Sequence, residues 1–377
     1  MEKAILVGLS SDALPIEERA DERSLAELAA LLETAGGVSV GTMLQRREKP
    51  EPGTFIGTGK VDELRRLLKE HECELALFDN ALSPAQQRNL EERLDVRVMD
   101  RAGIILDIFA SRAHTKEGRL QVELAQYRYL LPRLTGMWTH LVRQTASGAS
   151  RIGTRGPGET QLETDRRHIR SKITKLEHEL EKVRGVRTTQ RRLREKNEKR
   201  TVALVGYTNA GKSSLLNALT DAGIQARGRL FDTLDTTTRR LRLPDGSEVL
   251  LSDTVGFIRK LPHQLVAAFK ATLEELAFAD VVLHVIDVAN PDWQSQSEVC
   301  ERLISELGAG STPRLDVFNK CDLEPGAAPR GREDSVCVSS KTGEGLDALL
   351  SAITEKLALS ATTVDGNIIR SDYAGSS

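Results

Sequence analysis

At 377 residues, with 39% hydrophobic residues and a net charge of −2, the chain is too long for one ordinary domain and suits two or three soluble ones. No apolar run approaches the ~20 residues of a membrane helix, and the run after Met1 is too short for a signal peptide, so a cytoplasmic protein is expected. Cys73, Cys300, Cys321 and Cys337 are scattered, with no CxxC pair and no His cluster at metal spacing, and read as reduced thiols.

Residues 1–112 alternate apolar runs with amphipathic segments. Ala4–Leu9, Val38–Leu44, Leu75–Phe78 and Val96–Met99 are expected as buried strands, and Ser24–Glu33, Val61–His71 and Ala85–Leu94 as helices. Such alternation predicts a small α/β domain with a mainly parallel sheet. Gly57-Thr-Gly-Lys60 opens the second helix and could hold phosphate on its N–H groups. It lacks the full P-loop spacing, so a structural loop is the simpler reading.

In residues 113–198 the pattern changes. Leu120, Leu124, Tyr127, Leu131 and Leu134 recur at spacings of four and three, and Leu162, Ile169, Ile173, Leu176, Leu180 and Val183 form a second stripe. Two such stripes predict a long antiparallel helical hairpin packed along a seam. Its tip, Ser147–Gly158, is rich in glycine and cannot continue a helix. Between Arg166 and Arg200 stand 14 Lys/Arg against five Glu, a surplus of nine that leaves the rest of the chain at −11. A basic block in an acidic chain is either a solvated helix face or the footprint of a polyanion. Arg151 and Arg155 at a glycine-rich turn favour a contact element over a spacer.

Residues 199–360 form a second α/β region, with strands expected at Val202–Val205, Val249–Leu251, Val281–Ile286, Leu315–Phe318 and Ser335–Val338 and a closing helix at Leu346–Leu357. The tail, 361–377, is small and polar and reads as disordered. Gly206-Tyr207-Thr208-Asn209-Ala210-Gly211-Lys212-Ser213 matches the P-loop pattern between a strand and a helix beginning at Ser214. Its glycines let N–H groups turn towards phosphates, Lys212 should reach the β- and γ-phosphates, and the Ser213 hydroxyl should ligate Mg²⁺. The base is chosen by Asn319-Lys320-Cys321-Asp322. A carboxylate at Asp322 accepts from both N1–H and N2–H₂ of guanine, a donor pair that adenine lacks. Ser339-Ser340-Lys341 stands where the backbone can contact guanine O6.

Asp253-Thr254-Val255-Gly256 supplies a DxxG element, with Asp253 holding Mg²⁺ through water and the Gly256 N–H sensing the γ-phosphate. In Asp235-Thr-Thr-Thr-Arg239, Thr238 is the expected Mg²⁺-closing threonine and Thr237 the runner-up. Lys212, Thr238 and Gly256 are thus the expected catalytic groups. Phe257 follows Gly256 where Ras-like GTPases carry a water-orienting glutamine, so intrinsic hydrolysis should be slow and completed by a partner, an ion or another residue. Asn209 is a candidate ligand for K⁺ beside the phosphates.

With these residues in place, the chain resembles the HflX family of translational GTPases, within the Obg-like group, from Ala4 to about Leu357. The distinctive stretches are Phe55–Leu64, Gly153–Arg167 and Asp253–Pro262; the second lies outside the G domain. The resemblance implies a GTPase stimulated by the ribosome. It would bind the large ribosomal subunit and its RNA, and act in ribosome splitting, rescue or recycling under stress; a monomer in solution is expected. Arg151, Arg155, Gly156, Gly158, Arg166, Arg167 and Arg170 are then the expected RNA contacts, consistent with the dominance of Lys and Arg phosphate contacts in RNA affinity. Two departures stand out: Thr236 replaces a proline of the family's first switch, and Asp316 puts a carboxylate in a strand usually apolar. The alternatives are an ATP-dependent RNA-remodelling enzyme working through the N-terminal domain and a GTP-regulated protein-binding module.

Overall fold

The computed structural model describes the chain except residues 135–156, 197–199, 221–229, 235–236, 262–275, 277, 325, 327–333 and 372–377, and the side chains of 157–162, 184, 186–199 and 360–371. It divides into two units, Met1–Val183 with Lys260–Ala268, and Arg184–Arg259 with Phe269–Ser377.

The first unit is built on a parallel sheet of order β2-β1-β3-β4, formed by β1 (Lys3–Ser11), β2 (Val38–Arg47), β3 (Leu75–Phe78) and β4 (Arg97–Asp100). Ala4 to Val7 and Leu9 are buried without alternation, as a strand covered on both faces requires. Helices α1 (Glu22–Thr34), α2 (Thr58–Glu70) and α3 (Pro84–Leu94) connect the strands. Capping boxes begin two of them: Asp21 with Ser24, and Ser83 with Gln86, where Pro84 sits in the first turn. The core joins Ile5, Val7 and Phe78 to Val61, Leu64, Leu90 and Leu94.

Helix α4 (Arg101–Arg112) is additional to the expected elements; Ile104, Ile105, Leu106, Ile108 and Phe109 are buried, and Asp107, Ala110 and Ser111 form a narrow exposed side. Asp100 caps it through the Gly103 N–H at 3.0 Å and accepts the Tyr129 hydroxyl at 2.8 Å. That contact ties in α5 (Lys116–Leu130), against which α6 (Pro157–Lys196) packs. Leu120 and Leu124 pack with Leu176 and Leu180, flanked by Tyr127, Ile173 and Val183. Lys172 Nζ donates to Tyr127 Oη at 2.8 Å, and Arg128 pairs with Glu177 at 2.6 Å. The seam belongs to the first unit as far as Val183.

A charged group is buried in this unit. Arg101, 2% exposed, donates through Nη1 to Asp79 at 2.7 Å and through Nη2 to Glu27, and Lys260 donates to the other oxygen of Asp79. Burial alone would raise the Asp79 carboxyl; the Arg101 and Lys260 cations outweigh it and hold the carboxyl below its ordinary value.

The second unit carries a six-stranded sheet of order β10-β9-β8-β5-β7-β6. Its strands are β5 (Thr201–Gly206), β6 (Thr237–Arg242), β7 (Glu248–Asp253), β8 (Val281–Asp287), β9 (Arg314–Asn319) and β10 (Ser335–Cys337). Among the described strands only β6 runs antiparallel to its neighbour. Helices α7 (Lys212–Thr220), α8 (Trp293–Glu306) and α9 (Leu346–Ser371) accompany them. Asp316 is 5% exposed and faces its cross-strand partner His284, with Nδ1 at 3.3 Å from Oδ1, while Arg314 Nε lies 3.2 Å from the same oxygen. The unusual carboxylate is thus matched within the sheet. Helix α9 is anchored by buried Leu349, Ile353 and Leu357 and continues to Ser371, through residues whose composition suggested disorder. A nucleated helix extends by one hydrogen bond per added residue.

Candidate guanine-nucleotide site

The site is assembled where β5 and β7 end. The loop leaving β5 turns at Asn209 and Gly211, with φ of +62° and +93°. A Cβ on Gly211 would stand 2.2 Å from Asn319 Nδ2, so this position needs glycine for both its conformation and its neighbour. Lys212 opens α7 with its ammonium buried, donating to the Gly206 and Tyr207 carbonyls at 3.1 and 2.8 Å. Burial holds the Lys212 pKa below the ordinary lysine value, against the opposing pull of Asp253.

Asp253 ends β7 and is fully buried, which raises its carboxyl, although Lys212 and the Ser213 hydroxyl oppose the shift. Ser213 Oγ donates to Asp253 Oδ2 at 2.6 Å and lies 2.7 Å from Thr233 Oγ1. Asp253 Oδ1 and Thr208 Oγ1 are buried without a hydrogen-bond partner. Three oxygen-bearing side chains, one with an unpaired buried oxygen, suit a hard cation. Thr208, Asn209, Gly211, Lys212, Ser213, Ser214, Thr233, Thr254 and Gly256 line one open pocket of about 450 Å³. A Cβ on Gly256 would lie 2.9 Å from Thr208 Cα and 3.1 Å from Lys212 Nζ, so a side chain would intrude on the lysine.

Thr238 is not in this pocket. It belongs to β6, opposite Ser252, with the two hydroxyl oxygens 2.9 Å apart, and Thr237 stands opposite Asp253. Ladder pairing with β7 commits the threonines to a strand, and Thr233, five residues earlier, takes the position beside Ser213. The signal that could have found it is a lone hydroxyl in Phe231-Asp-Thr-Leu234, held by Phe231 and Leu234, both buried. Asp235 and Thr236 lie outside the described residues.

Phe257 is 2% exposed, and its backbone N–H donates to Gly206 O at 3.0 Å while its carbonyl accepts the Thr208 N–H at 2.8 Å. Tyr207 supports the same turn, its hydroxyl accepting the Arg259 N–H at 2.9 Å; Val255 is buried, and Thr254 donates to Leu204 O at 2.7 Å.

At the other end, fully buried Asn319 donates to Ala210 O at 2.9 Å and accepts the Ser340 N–H at 3.0 Å. One side chain thereby joins the P-loop, β9 and the Ser339–Lys341 loop. Lys320, at φ +65°, reaches Asp287 Oδ2 at 2.6 Å and Asn209 O at 3.0 Å. Ser339 is buried, accepting the Thr342 N–H at 3.1 Å; Asp322 is half-buried and Lys341 exposed. The departure at Ser340 leaves its backbone in use.

Of the other expected positions, Arg166 is half-buried and Arg167 and Arg170 are exposed on α6; Arg151, Arg155 and Gly156 lie outside the described residues, and Gly158 is described only as part of α6. In the Gly57 loop, the Gly57 N–H donates to Gln45 Oε1 at 2.9 Å and Lys60 pairs with Glu63 at 2.8 Å. No helix among the described residues is long and apolar enough to cross a membrane.

One end of the second unit's site offers N–H groups and an ammonium, which suit phosphates; the other presents a carboxylate turn that suits the donor edge of guanine. A doubly covered sheet with these loops at its strand ends is a P-loop GTPase domain. The comparisons then fix which one. Residues 22–110 match the GTP-binding GTPase N-terminal family, 112–194 the GTP-binding GTPase middle region, and 201–320 the 50S ribosome-binding GTPase family. The GTPase HflX of Caldanaerobacter subterraneus subsp. tengcongensis is 49% identical over 356 residues, covering 94% of this chain and 81% of the relative. That of Escherichia coli is 47% identical, covering 89% and 80%. The chain belongs to the HflX family of GTPases, which hydrolyse GTP. A GDP complex of a Sulfolobus solfataricus GTP-binding protein is 22% identical, with a TM-score of 0.47 over 95% of this chain and 99% of that one.

Proposed function

We propose that the protein is a GTP-driven switch that binds the large ribosomal subunit and acts in splitting, rescue or recycling of ribosomes in the cytoplasm. The observation that supports the switch most directly is the unpaired, buried Asp253 Oδ1 beside the Ser213 and Thr233 hydroxyls, at the mouth of the lysine loop. Ser213, Thr233 and Asp253 would hold Mg²⁺, which when bound neutralises phosphate charge. Lys212 exchanges its two carbonyl partners for phosphate oxygens. The Gly256 N–H reports the γ-phosphate to the segment that follows it, and Asp322 selects guanine. Phe257 supplies no group to orient water, so hydrolysis waits on a partner, with K⁺ near Asn209 as a candidate contributor.

The ribosomal reading is supported by the name of the matched 50S ribosome-binding family and by the exposed arginines Arg167 and Arg170 in the basic stretch of α6. The ATP-driven alternative loses support where Gln45 and Glu63 already occupy the Gly57 N–H and Lys60. The test is GTP hydrolysis with and without purified large subunits, in K⁺ and in Na⁺. Stimulation by subunits that is lost in Lys212→Ala is expected, as is loss of guanine selectivity in Asp322→Asn. No stimulation in either salt would refute the ribosomal switch, and ATP turnover that survives Asp322→Asn would favour the alternative.

A further inference from the structure

Two of the four cysteines meet beside the guanine-selecting turn. Cys321 is the third residue of Asn319-Lys-Cys-Asp322, and Cys337 ends β10, the edge strand of the second sheet. Cys337 is paired with Phe318 in the β9–β10 register. Cys321 is fastened to the same place: its N–H donates to Val338 O at 3.2 Å, and its Sγ lies 3.2 Å from Phe318 O. The β9–β10 register thus sets Cys337 beside Phe318, and Cys321 packs against the same Phe318. Cys337 is exposed and Cys321 half-buried, whereas Cys73 and Cys300 are buried in different places.

We propose that Cys321 and Cys337 form an oxidation site for hydroperoxides, in which a reversible disulfide across the guanine-selecting turn weakens nucleotide binding. The Cys337 thiolate attacks one peroxide oxygen; the O–O bond breaks, and the departing hydroxide takes a proton and leaves as water. This gives a sulfenic acid on Cys337. Cys321 Sγ then attacks Cys337 Sγ, the S–O bond breaks, and the departing oxygen leaves as a second water with the Cys321 proton. Two thiols lose two electrons and one hydrogen peroxide becomes two waters. The order of events follows from exposure: Cys337 meets solvent first. Burial, followed by the neighbouring Cys337 thiol, pushes the Cys321 thiol up to about 12, so Cys321 remains a thiol until a sulfenic acid stands next to it.

The consequence rests on the guanine-site reading given above. A disulfide holds its sulfurs about 2 Å apart, well inside the contact distance of two unbonded thiols. Closing that gap draws Cys321 towards β10. Asp322 is its covalent neighbour, and Ser339 and Ser340 follow Cys337 within three residues, so both guanine-facing loops move together.

The experiment treats the full chain with graded hydrogen peroxide, maps cross-linked peptides by mass spectrometry, and measures GDP affinity for reduced, oxidised and re-reduced protein. A Cys321–Cys337 peptide pair and an affinity loss of about tenfold, restored by dithiothreitol, are expected. Cys337→Ser should bind GDP like the reduced protein and ignore peroxide. Absence of the cross-link, or a cross-link with unchanged affinity, overturns the proposal. Failure of the reduced protein to bind GDP would instead overturn the guanine reading, and with it the proposed consequence, while peptide mapping would still decide whether the dithiol is oxidised.

Discussion

Asn319→Ala should damage nucleotide binding by releasing the two loops that this side chain joins. The side chain is fully buried and makes one hydrogen bond to each of two other loops, to Ala210 O at 2.9 Å and from the Ser340 N–H at 3.0 Å. Removing it leaves one carbonyl and one N–H with no partner. A buried polar group left unsatisfied costs about 1–3 kcal/mol, so two cost about 2–6 kcal/mol, with the lower half of the range applying if water enters and repairs one of them. The cost falls on the arrangement that brings the P-loop and the Ser339–Lys341 loop together, which is the arrangement nucleotide requires. GDP affinity should therefore fall at least about tenfold, corresponding to 1.4 kcal/mol. Thermal unfolding with and without GDP is the companion assay: the midpoint falls in both, and the rise produced by GDP shrinks. Asn319→Asp keeps the acceptor for Ser340 but sets an oxygen against Ala210 O, so it should not rescue the loss. Wild-type GDP affinity in Asn319→Ala would show that the loops are held by other contacts and would refute the reasoning.

The competing threonines separate cleanly, because loss of a hydroxyl from a charged partner costs about 1.5–3 kcal/mol. Thr233→Ala should slow Mg²⁺-dependent GTP hydrolysis by roughly tenfold to a hundredfold, and Thr238→Ala by less than about twofold; the reverse order in a steady-state assay would restore Thr238 to the site. Asp316→Val leaves His284 buried opposite an apolar side chain and should destabilise the second unit by about 1–3 kcal/mol, whereas the double variant with His284→Leu should recover most of that loss. Urea unfolding of the four proteins in that cycle measures the coupling, and a double variant as unstable as the single one would deny it. In the first unit, Asp79 has a carboxyl pKa held below its unfolded value. Its contribution is therefore complete above the ordinary carboxylate pKa of about 3.9 and lost as pH falls through the lower folded value. Hydrogen exchange across β3 and α4 should accelerate as pH is lowered from about 5, once corrected for intrinsic exchange, and Asp79→Asn should flatten that dependence; identical profiles would exclude Asp79 as the titrating group.

What could be read from the sequence was whatever chemistry is contiguous. A phosphate-binding loop works through successive N–H groups on one turn, so Gly206–Ser213 carries its own context, and Asn319–Asp322 likewise. The buried strands of both sheets were legible because parallel strands covered on two faces are uninterrupted apolar runs. Helix α4 was not, since its apolar run Ile104-Ile-Leu106 reads like a buried strand and only Asp107, Ala110 and Ser111 mark a solvent side. Neither was the choice between Thr233 and Thr238, because it depends on β6 pairing with β7, and a ladder is a long-range fact that no local pattern encodes. Asp316 looked anomalous for the same reason: the residue that answers it, His284, is thirty-two positions away and becomes its neighbour only through the register of β8 and β9.

Phe257 shows how far a motif reading can be carried by adding geometry. From sequence, phenylalanine after Gly256 says only that a water-orienting side chain is missing. The structure adds that the position is committed elsewhere: its ring is buried, and both its backbone groups are engaged, the N–H with Gly206 O and the carbonyl with the Thr208 N–H. A side chain pointed into the core cannot be recruited to the γ-phosphate by a small local change, because the same backbone bonds that bury it also hold the P-loop in shape. The group that completes hydrolysis must come from outside this turn. In the second unit Asn209, Asp232 and Thr233 are among the polar residues that line the pocket together with Lys212. On the proposed reading, GTP stays uncleaved until a partner reaches the pocket, which is the behaviour required of a switch read by a large RNA particle.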